Sequence, residues 1–379
     1  MLGTLEIGGE QRYVARLAQR LDPLRFTQTV AYSNNGTMRA EFPPHVRFVR
    51  MTEHRPRAVR LGDWDLVRRY ARVIREDNID LVTTHGAGFV QIAAAMAAKR
   101  WRRPVVHTIQ RPWFNRSRTE DMIVKIPGLR YVAYALTDKF VALGSYYHYD
   151  QISRFKIPAG KMHLSYIGID ISEFRDDRPL GAEARRELGI PLDAPLVVIV
   201  ARHSPVKGIN RGLACFAALR KVLPAARLLS VGDGPTRAEH EAKAAELGIT
   251  SAVTFAGART DTVRMMNAGD VLMQTTYNPL NGISSIEGMA VARPIVTVVE
   301  REEEERMAAD TCDEQRNGLF FRMIEMERSA ARLADLLGDA PRMQRMGGES
   351  RRMAEERFEI DRHIRDLEDL YLRLLGRSE

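Results

Sequence analysis

The sequence predicts an α/β fold of two doubly wound domains, each built on a parallel sheet. Short apolar segments typical of strands alternate with segments of helical periodicity along the chain, a pattern that favours parallel sheets covered by helices. The chain has 379 residues, enough for two to three domains of about 150 residues each. Its hydrophobic content of 45% suffices for ordinary cores. We expect a first domain over 1–174, a second over 175–357 and a final helix over 358–379.

In the first half of the chain, apolar spacing predicts helices and strands in regular alternation. Val14, Leu17, Ala18 and Leu21 recur at the spacing of one helix face. Later helices and strands follow from the same two periodicities. The expected helices are 10–21, 63–77, 88–100 and 145–154, and the expected strands are 26–32, 46–51, 81–84, 105–109 and 140–143.

In the second half, the expected strands are more apolar and end in glycine-containing turns. The runs at 196–200 and 226–231 are typical of strands buried on both faces. A third strand ends in a turn at Gly257. The remaining expected elements are a short helix within 179–195, a helix after Glu287, a strand over 294–299, helices near 328–338 and 341–357, and a last helix carrying Ile364, Leu367, Tyr371 and Leu374 on one face.

The start of the chain does not fit this pattern. A doubly wound domain needs a central first strand before the turn at Gly8 and Gly9, but only Leu2, Leu5 and Ile7 are apolar there. We therefore expect this strand to be missing or very short. Because strands average about six residues, a start codon assigned about ten residues too late would explain the difference.

Composition argues against several functional classes. The sequence contains only two cysteines, so neither a disulfide scaffold nor a cysteine metal cluster is expected, and a reducing compartment is favoured. No apolar run approaches the roughly 18 residues that span a bilayer, and the first residues lack the pattern of a signal sequence. These features predict a cytoplasmic protein.

The net charge of +8 raises the question of an anionic partner. Nucleic acid is not expected, because the cations are spread among acidic neighbours and no nucleic-acid-binding motif is visible. The densest cluster is KRWRR at 99–103, and further arginines and aromatic residues follow over 111–118. Cations among aromatic side chains suit an anionic membrane surface, but the cluster would equally complement the C-terminal dipole of the preceding helix. Both interpretations remain open.

The ends of the strands in the second half predict a ligand site. Carboxyl ends of parallel strands and amino ends of helices direct free backbone N–H groups into one crevice. Arg202 and Lys207 follow the first of these strands and add positive charge, which favours a phosphorylated anion. Glu287, near the start of a helix, suits the paired hydroxyls of a ribose. Phosphate and ribose together indicate a nucleotide.

Four motifs in this half occur in an order that resembles a known family. They are R-x4-KG at 202–208, G-x-GP at 232–235, F-x-G at 255–257 and E-x-MA at 287–290. This order is similar to the donor domain of the family 4 retaining glycosyltransferases, which use sugar nucleotides. Their GT-B fold has two Rossmann-like domains that face each other across a cleft.

The resemblance extends over nearly the whole chain. The segment GGEQR at 8–12 and its helix resemble the N-terminal glycine turn of the family, and YIGID at 166–170 with Phe174 resembles the hinge between domains. The final helix resembles the one that crosses back onto the N-terminal domain, although a plain core-facing helix has the same pattern.

The resemblance implies roles for individual residues. Arg202 and Lys207 would bind the donor diphosphate, Glu287 the ribose, and the turn around Gly257 the base. Backbone N–H groups at 281–283 would reach the phosphate and the sugar, and Gly282 would permit close approach. The candidate catalytic residues are Arg202, Lys207 and His85, and the candidate donor-binding residues are Gly8, Gly9, Gly234, Gly257, Asn281, Gly282, Ile283 and Glu287.

Two positions depart from the family pattern. Pro279 stands where the family has a glutamate, so a contact to the donor sugar is in doubt, and Asn278 or Asn281 could replace it with a neutral one. Gln110 stands where the family often has a histidine, and it cannot carry a proton. The structural alternative for the loop is a plain Pro/Gly turn.

Three further features allow both functional and structural interpretations. His85 and His107 are expected at the ends of strands that face the crevice, where a histidine is either functional or a hydrogen-bonded terminus. His203, next to Arg202, is expected to line its loop rather than to act in chemistry. The acidic run at 302–305 is expected to be a solvated helix start.

The implied reaction needs few side chains and neither a cofactor nor a metal. Arg202, Lys207 and helix amino ends would stabilise the leaving nucleoside diphosphate, while the hydroxyl of a glycan, lipid-linked or small-molecule acceptor attacks from the same face. The N-terminal domain would hold the acceptor. The alternatives are a degenerate glycosyltransferase-like binding protein and a nicotinamide-dependent oxidoreductase, which the incomplete glycine motif at 232–237 argues against.

Overall fold

A computed structural model of the chain describes residues 2–5, 9–34, 36–51, 64–85, 89–109, 128–279 and 282–377. The chain forms two compact units: unit 1 is Met1–Tyr166 with Asp361–Glu379, and unit 2 is Ile167–Ile360. The domain boundaries expected at 174 and 357 stay a prediction. A backbone ladder joins the two ends of unit 2, where Ile169 N–H donates to Phe358 O and Ile360 N–H donates to Ile169 O.

Unit 1 is an α/β unit whose strands pair in parallel. Its strands are β1 Leu2–Thr4, β2 Thr29–Asn34, β3 Arg47–Arg50, β4 Val82–Thr84, β5 Val105–Ile109, β6 Lys139–Ala142 and β7 Met162–Leu164. They form one ladder in the order β1-β2-β3 and another in the order β4-β5-β6-β7. Its helices are α1 Gly9–Arg20, α2 Trp64–Glu76, α3 Phe89–Arg100, α4 Leu129–Leu136, α5 Ser145–Ser153 and, at the end of the chain, α14 Ile360–Leu374.

The first strand has three residues, which confirms that it is very short. Leu2 lies opposite Tyr32 and Thr4 opposite Asn34, so β1 reaches only the second half of β2. The first half of β2 instead lines a pocket of about 580 Å³, together with residues of β4, α1, α2 and α14.

Strand β2 begins three residues later than expected. The backbone N–H groups of Arg25 and Phe26 both donate to Asp22 O. This turn after α1 includes Phe26, which the apolar pattern had assigned to the strand, and residues 27 and 28 lie outside the strand as well, so the expectation for 26–28 was wrong. The limits of β5 agree with those expected.

Unit 2 contains one parallel sheet of six strands in the order β10-β9-β8-β11-β12-β13. From β8 the chain proceeds to one side through β9 and β10, and then to the other side through β11. The point between β8 and β11 is thus the switch point of a doubly wound sheet, where ligands bind beyond the strand carboxyl ends. The strands are β8 Leu196–Val200, β9 Arg227–Val231, β10 Val253–Gly257, β11 Val271–Gln274, β12 Ile295–Val299 and β13 Gly318–Arg322.

The helices of unit 2 cover this sheet and bury a continuous core. Phe216, Leu213 and Leu228 are completely buried in it, and each buried side chain of this size contributes about 1.5–3 kcal/mol. The helices are α6 Arg178–Glu187, α7 Ile209–Val222, α8 Arg237–Glu246, α9 Thr262–Ala268, α10 Ile283–Ala290, α11 Glu302–Ala308, α12 Met326–Gly338 and α13 Ala340–Phe358.

Candidate functional site

The candidate site lies in unit 2, where three loops leave the carboxyl ends of neighbouring strands. The loop 201–208 joins β8 to α7, the turn 232–236 joins β9 to α8, and the loop 275–282 joins β11 to α10. Since β8 lies between β9 and β11, all three loops emerge at the switch point.

Gly208 brings the first loop close to the third. It has a φ of +61°, and a Cβ at this position would lie 2.2 Å from Thr275 O. A side chain would therefore clash with backbone, and only glycine is compatible with this approach. The helix α7 begins immediately afterwards at Ile209, so its amino end lies directly behind the loop.

Arg202 and Lys207, the two expected cations, both lie in this loop. Arg202 is exposed and Lys207 is partly buried. Loss of solvent lowers the pKa of Lys207 from its usual value. Neither side chain forms an ion pair with any carboxylate in the described ranges. A partly buried cation without a counterion is poised to bind an anion.

Backbone contacts fix the position of Arg202. The preceding residue, Ala201, donates from its N–H to Val231 O at 3.0 Å, and the following one, His203, donates to Asp233 O at 2.9 Å. Gly234 lies so close that a Cβ there would be 2.2 Å from His203 O. Gly234 is therefore needed for the contact between two loops, a steric role.

Gly257 belongs to the same set of turns. It ends β10 with a φ of +71°, after a register shift that separates it from Phe255. Its carbonyl accepts a hydrogen bond from Gly232 N–H at 2.8 Å. The turn expected to hold the base is therefore tied to the turn beside the cation loop.

A pair of histidines lies beneath these turns. His203 Nδ1 and His240 Nδ1 are 3.1 Å apart, and the other ring nitrogens contact Ser230 Oγ at 3.2 Å and Thr236 Oγ1 at 3.3 Å. Burial lowers the pKa of both histidines. Neutral rings can share one hydrogen between the two Nδ1 atoms, so the pair supports the loop. Sequence reasoning missed His240, since nothing in its local pattern indicates a partner 37 residues away.

The loop from β11 to α10 contains the position of Pro279. Of the candidates there, Asn281 lies outside the described residues, Gly282 directly precedes α10, and Ile283 is its first residue. A Cβ at Gly282 would lie 2.1 Å from the side-chain nitrogen of Gln274. The expected close approach at Gly282 is thus to a neighbouring amide in this structure.

Glu287 is the fifth of the eight residues of α10 and is partly buried. The helix was expected after Glu287 but begins at Ile283, so Glu287 lies one turn beyond the helix amino end. Two neutral polar atoms occur nearer that end: Asn278 Oδ1 and Ser285 Oγ are buried without a hydrogen-bond partner in the described part of the chain. Buried polar groups normally have partners, so these atoms are candidates for ligand contacts. Sequence reasoning did not identify Ser285.

The acidic run at 302–305 does begin a helix, α11, but the expectation of a solvated start was wrong for one member. Glu304 is only 1% exposed, and it pairs with the equally buried Arg211 at 2.9 Å. Glu302 remains exposed. Its partner Arg211 lies 93 residues earlier in the sequence, on α7. The local acidic pattern therefore gives no sign that Glu304 is buried in an ion pair.

In unit 1, His85 follows β4 as expected and is only 4% exposed. Burial lowers the pKa of His85 well below its usual range, so the ring is neutral at pH 7. Its ring centroid lies 5.8 Å from that of Tyr13. A neutral, buried imidazole can orient a substrate but is a poor source of protons.

The other candidates in unit 1 differ in where the structure places them. His107 is the third of five residues in β5 and not at its end, which corrects the expectation, and its Nδ1 lies 2.9 Å from Thr84 Oγ1. Gly9 is the first residue of α1. Gly8 and Gln110 lie outside the described residues.

The basic cluster at 99–103 is partly neutralised within unit 1. Lys99 pairs with Asp138 at 2.6 Å and Arg103 with Asp80 at 3.3 Å. Trp101 Nε1 donates to Ala71 O. The residues expected to extend the cluster, 111–118, lie outside the described ranges. These pairs favour the structural interpretation for Lys99 and Arg103.

Among the described residues, no helix is both long and apolar enough to cross a bilayer. The same residues also contain no group of three or more His, Cys, Asp or Glu side chains placed to hold a metal ion. Cys215 and Cys312 are both buried, and burial raises the pKa of each thiol to about 12.

Comparison with protein families matches both halves of the chain. Residues 7–173 match the model described as Glycosyltransferase Family 4, and residues 182–353 match the model described as Glycosyl transferases group 1. The Bacillus subtilis protein EpsD, named as a glycosyltransferase, is 23% identical over 80% of this chain and 79% of its own. The D-inositol 3-phosphate glycosyltransferase of Salinispora arenicola is 28% identical, but the match spans only about half of each protein, 53% of this chain and 49% of the relative.

Solved structures with the same fold include HepE and WaaG. The crystal structure of Anabaena Alr3699/HepE in complex with UDP superposes with a TM-score of 0.80 at 19% identity, covering 97% of this chain and 98% of the other. WaaG, a glycosyltransferase involved in lipopolysaccharide biosynthesis, gives a TM-score of 0.67 at 18% identity over 98% and 99% of the chains. At these identities the likeness establishes the fold.

Proposed function

Because the chain belongs to the family 4 and group 1 glycosyltransferases, a family of GT-B fold, we propose that it transfers a sugar from a nucleoside-diphosphate sugar to an acceptor hydroxyl with retention of configuration. One observation carries the proposal for the donor. Arg202 and Lys207, without carboxylate partners in the described ranges, lie in one loop that runs into the amino end of α7. Structures of HepE with UDP, and with UDP-glucose, support a donor of this class.

In the proposed reaction, charge develops on the leaving diphosphate. Arg202, Lys207 and the N–H groups at the start of α7 would stabilise that charge. The departing phosphate would accept the proton of the attacking hydroxyl, so no side chain in unit 2 has to act as a base. The fixed cations take the part that a metal plays in other transferases, and the proposal therefore requires none.

The donor sugar would be held by neutral groups. Pro279 offers no carboxylate, while Asn278 and Ser285 each carry a buried polar atom without a partner among the described residues. Asn281 would add a second amide. A neutral amide discriminates less between sugar epimers than a carboxylate that accepts two hydrogen bonds, so we propose a relaxed preference among hexoses.

The proposed acceptor is a glycan or lipid-linked hydroxyl, with the enzyme in the cytoplasm or at the inner face of the membrane. The role of WaaG in lipopolysaccharide biosynthesis supports such an acceptor and a place in cell-envelope polysaccharide synthesis. The D-inositol 3-phosphate enzymes favour a small-molecule acceptor instead. A panel of acceptors in a radiolabelled transfer assay separates the two.

The decisive test begins with nucleotide binding. Titration with UDP, GDP and ADP should identify one preferred base. Arg202→Ala and Lys207→Ala should each weaken binding and slow transfer by roughly 2–4 kcal/mol of lost charge stabilisation. Arg227→Ala, on the far end of β9, is the matched control and should leave binding unchanged. Equal affinity in the wild type and both site variants would refute the site.

A second function, nucleotide binding without transfer, is favoured by Pro279 alone among the site residues. A degenerate protein would bind the nucleoside diphosphate through Arg202 and Lys207, but an attached sugar would not increase the binding affinity. Asn281→Ala separates the two functions. In a transferase it should impair use of the sugar nucleotide and spare the bare diphosphate, whereas Glu287→Ala should weaken both because both contain the ribose.

A further inference from the structure

A buried ion pair outside the expected site residues lies next to the loop 275–282. Arg211 is on the first turn of α7 and Glu304 is on α11, and their side chains are 2% and 1% exposed. Removing two charges from water is costly, and such a pair is rarely more stable than a well-packed apolar pair. The remaining contacts of the pair therefore indicate what it does.

Arg211 holds the beginning of the loop 275–282 by three contacts. Its Nε donates to Thr275 O at 2.6 Å and its Nη2 donates to Thr276 O. Its guanidinium carbon lies 4.6 Å from the centre of the Tyr277 ring. One side chain thus fixes three consecutive residues directly after β11, and a planar guanidinium suits this arrangement because its donors point in fixed directions.

Two of these three residues, Thr275 and Tyr277, contact the loop of Arg202 and Lys207. Thr275 Oγ1 donates to Lys207 O at 2.7 Å, and Tyr277 N–H donates to Val206 O. Thr275 O is the atom that excludes a side chain at Gly208. The segment held by Arg211 therefore joins the proposed diphosphate loop to the proposed sugar loop.

Glu304 is itself held in place. Its Oε2 also accepts the N–H of Glu300 at 3.1 Å, and its Oε1 accepts from Arg301 at 3.1 Å. Both carboxylate oxygens are used, so the anion is fixed by the turn between β12 and α11. Arg211 is consequently anchored on the side away from the loop.

We infer that Arg211, anchored by Glu304, is a positioning residue for the donor sugar: it sets the segment 275–277 against the diphosphate loop and so determines how well a sugar nucleotide binds relative to the bare diphosphate. This inference rests on the proposed function. A loop already held in its bound geometry loses less conformational freedom when the sugar binds. The described contacts of Arg211 include no bond to Arg202 or to the amine of Lys207, so diphosphate binding should depend on it much less.

The test compares two ligands in three variants. Arg211→Lys keeps the charge opposite Glu304 but loses the fork of donors, and the double variant Arg211→Met with Glu304→Leu removes both charges and remains useful if a single change unfolds the protein. Arg293→Lys is the matched control, because Arg293 is as deeply buried, pairs with Asp176 and Asn267, and lies outside the loop contacts. Dissociation constants for UDP and UDP-glucose are measured by calorimetry, with KM and kcat for transfer and the melting temperature.

In both Arg211 variants, the affinity for UDP-glucose should fall at least tenfold relative to that for UDP, and KM for the sugar nucleotide should rise. UDP binding should stay within about threefold of the wild type. Arg293→Lys should lower the melting temperature without changing the ratio. An unchanged ratio in folded Arg211 variants, or equal weakening of both ligands, overturns the inference. Where GDP or ADP is the preferred diphosphate, it and its glucose conjugate replace UDP and UDP-glucose. Wild-type protein that binds none of UDP, GDP and ADP overturns the proposed function itself, and this outcome is visible before any variant is made.

Discussion

Units 1 and 2 are built from the same alternation of strands and helices, but they complete their sheets differently. In unit 2 six strands form one continuous sheet. In unit 1 the described strands form ladders of three and four, and a pocket of about 580 Å³ is lined by residues of β2 and β4. The proposed charge-stabilising groups lie on the continuous sheet. Preorganised charge requires a rigid support, and the closely packed unit provides it.

The largest expected effect comes from opening the core of unit 2. Phe216→Ala should cost about 3–5 kcal/mol, because a completely buried ring is replaced by a cavity in a close-packed interior. Leu17→Ala in unit 1 should cost about 2 kcal/mol, since Leu17 lines a pocket that already exists and water can enter it.

Hydrogen exchange resolved by unit is the suitable measurement, because a single unfolding free energy is not defined for a chain with two units. The comparison breaks down if Leu17→Ala destabilises unit 1 more than Phe216→Ala destabilises unit 2.

The second prediction concerns acid stability and His363 in unit 1. His363 bonds to Tyr13 Oη at 2.9 Å and to Ser165 Oγ at 2.8 Å. Asp366, His163 and Arg362 are the charged or titrating groups that act on it. Burial lowers the pKa of His363 to about 4, whereas an unfolded histidine has a pKa of about 6.5. The unfolded state therefore binds the proton first as the pH falls. Unit 1 should lose about 3 kcal/mol between about pH 6.5 and 4, and nothing from this group above pH 6.5.

His363→Gln should flatten this dependence, while His45→Gln, an exposed histidine of the same unit, serves as the control. Exchange rates of unit 1 amides at pH 7 and 4.5 measure it. An equal pH slope in the wild type and His363→Gln would contradict the assignment.

The third prediction uses the ligand to sharpen the difference between the units. The preferred nucleoside diphosphate at 100 times its dissociation constant should stabilise the unit that binds it by about 2.7 kcal/mol. Since Arg202 and Lys207 lie in unit 2, its slowest-exchanging amides should gain this protection, and Lys207→Ala should reduce it to below about 1 kcal/mol at the same ligand concentration. Protection confined to unit 1 would place the nucleotide elsewhere.

The sequence could predict features that depend on neighbouring residues, but not those that depend on residues remote in the chain. The fully apolar run 196–200 became β8 with the expected limits, because burial on both faces leaves a continuous local signal. The motif residues Arg202 and Lys207 were found together because one short loop carries both. Glu304 was misassigned and His240 missed, since their partners Arg211 and His203 are remote in sequence and only the tertiary fold brings them together.

The smallest expected effect tests how tightly the pocket of unit 1 constrains the residues that line it. Ala18 lines the pocket of unit 1 and lies on α1, where leucine is a good helix former. Ala18→Leu should stabilise unit 1 by about 1 kcal/mol, because the added carbons become buried without displacing neighbours. The matched change in unit 2, Ala244→Leu, enters a core where Ala244 is completely buried, and overpacking there should destabilise by about 1–3 kcal/mol. The measurement is the free energy of unfolding of each variant, obtained from hydrogen exchange. Opposite signs would uphold the contrast between an open and a closed unit, and a destabilising Ala18→Leu would show that the pocket is as tightly constrained as the core of unit 2.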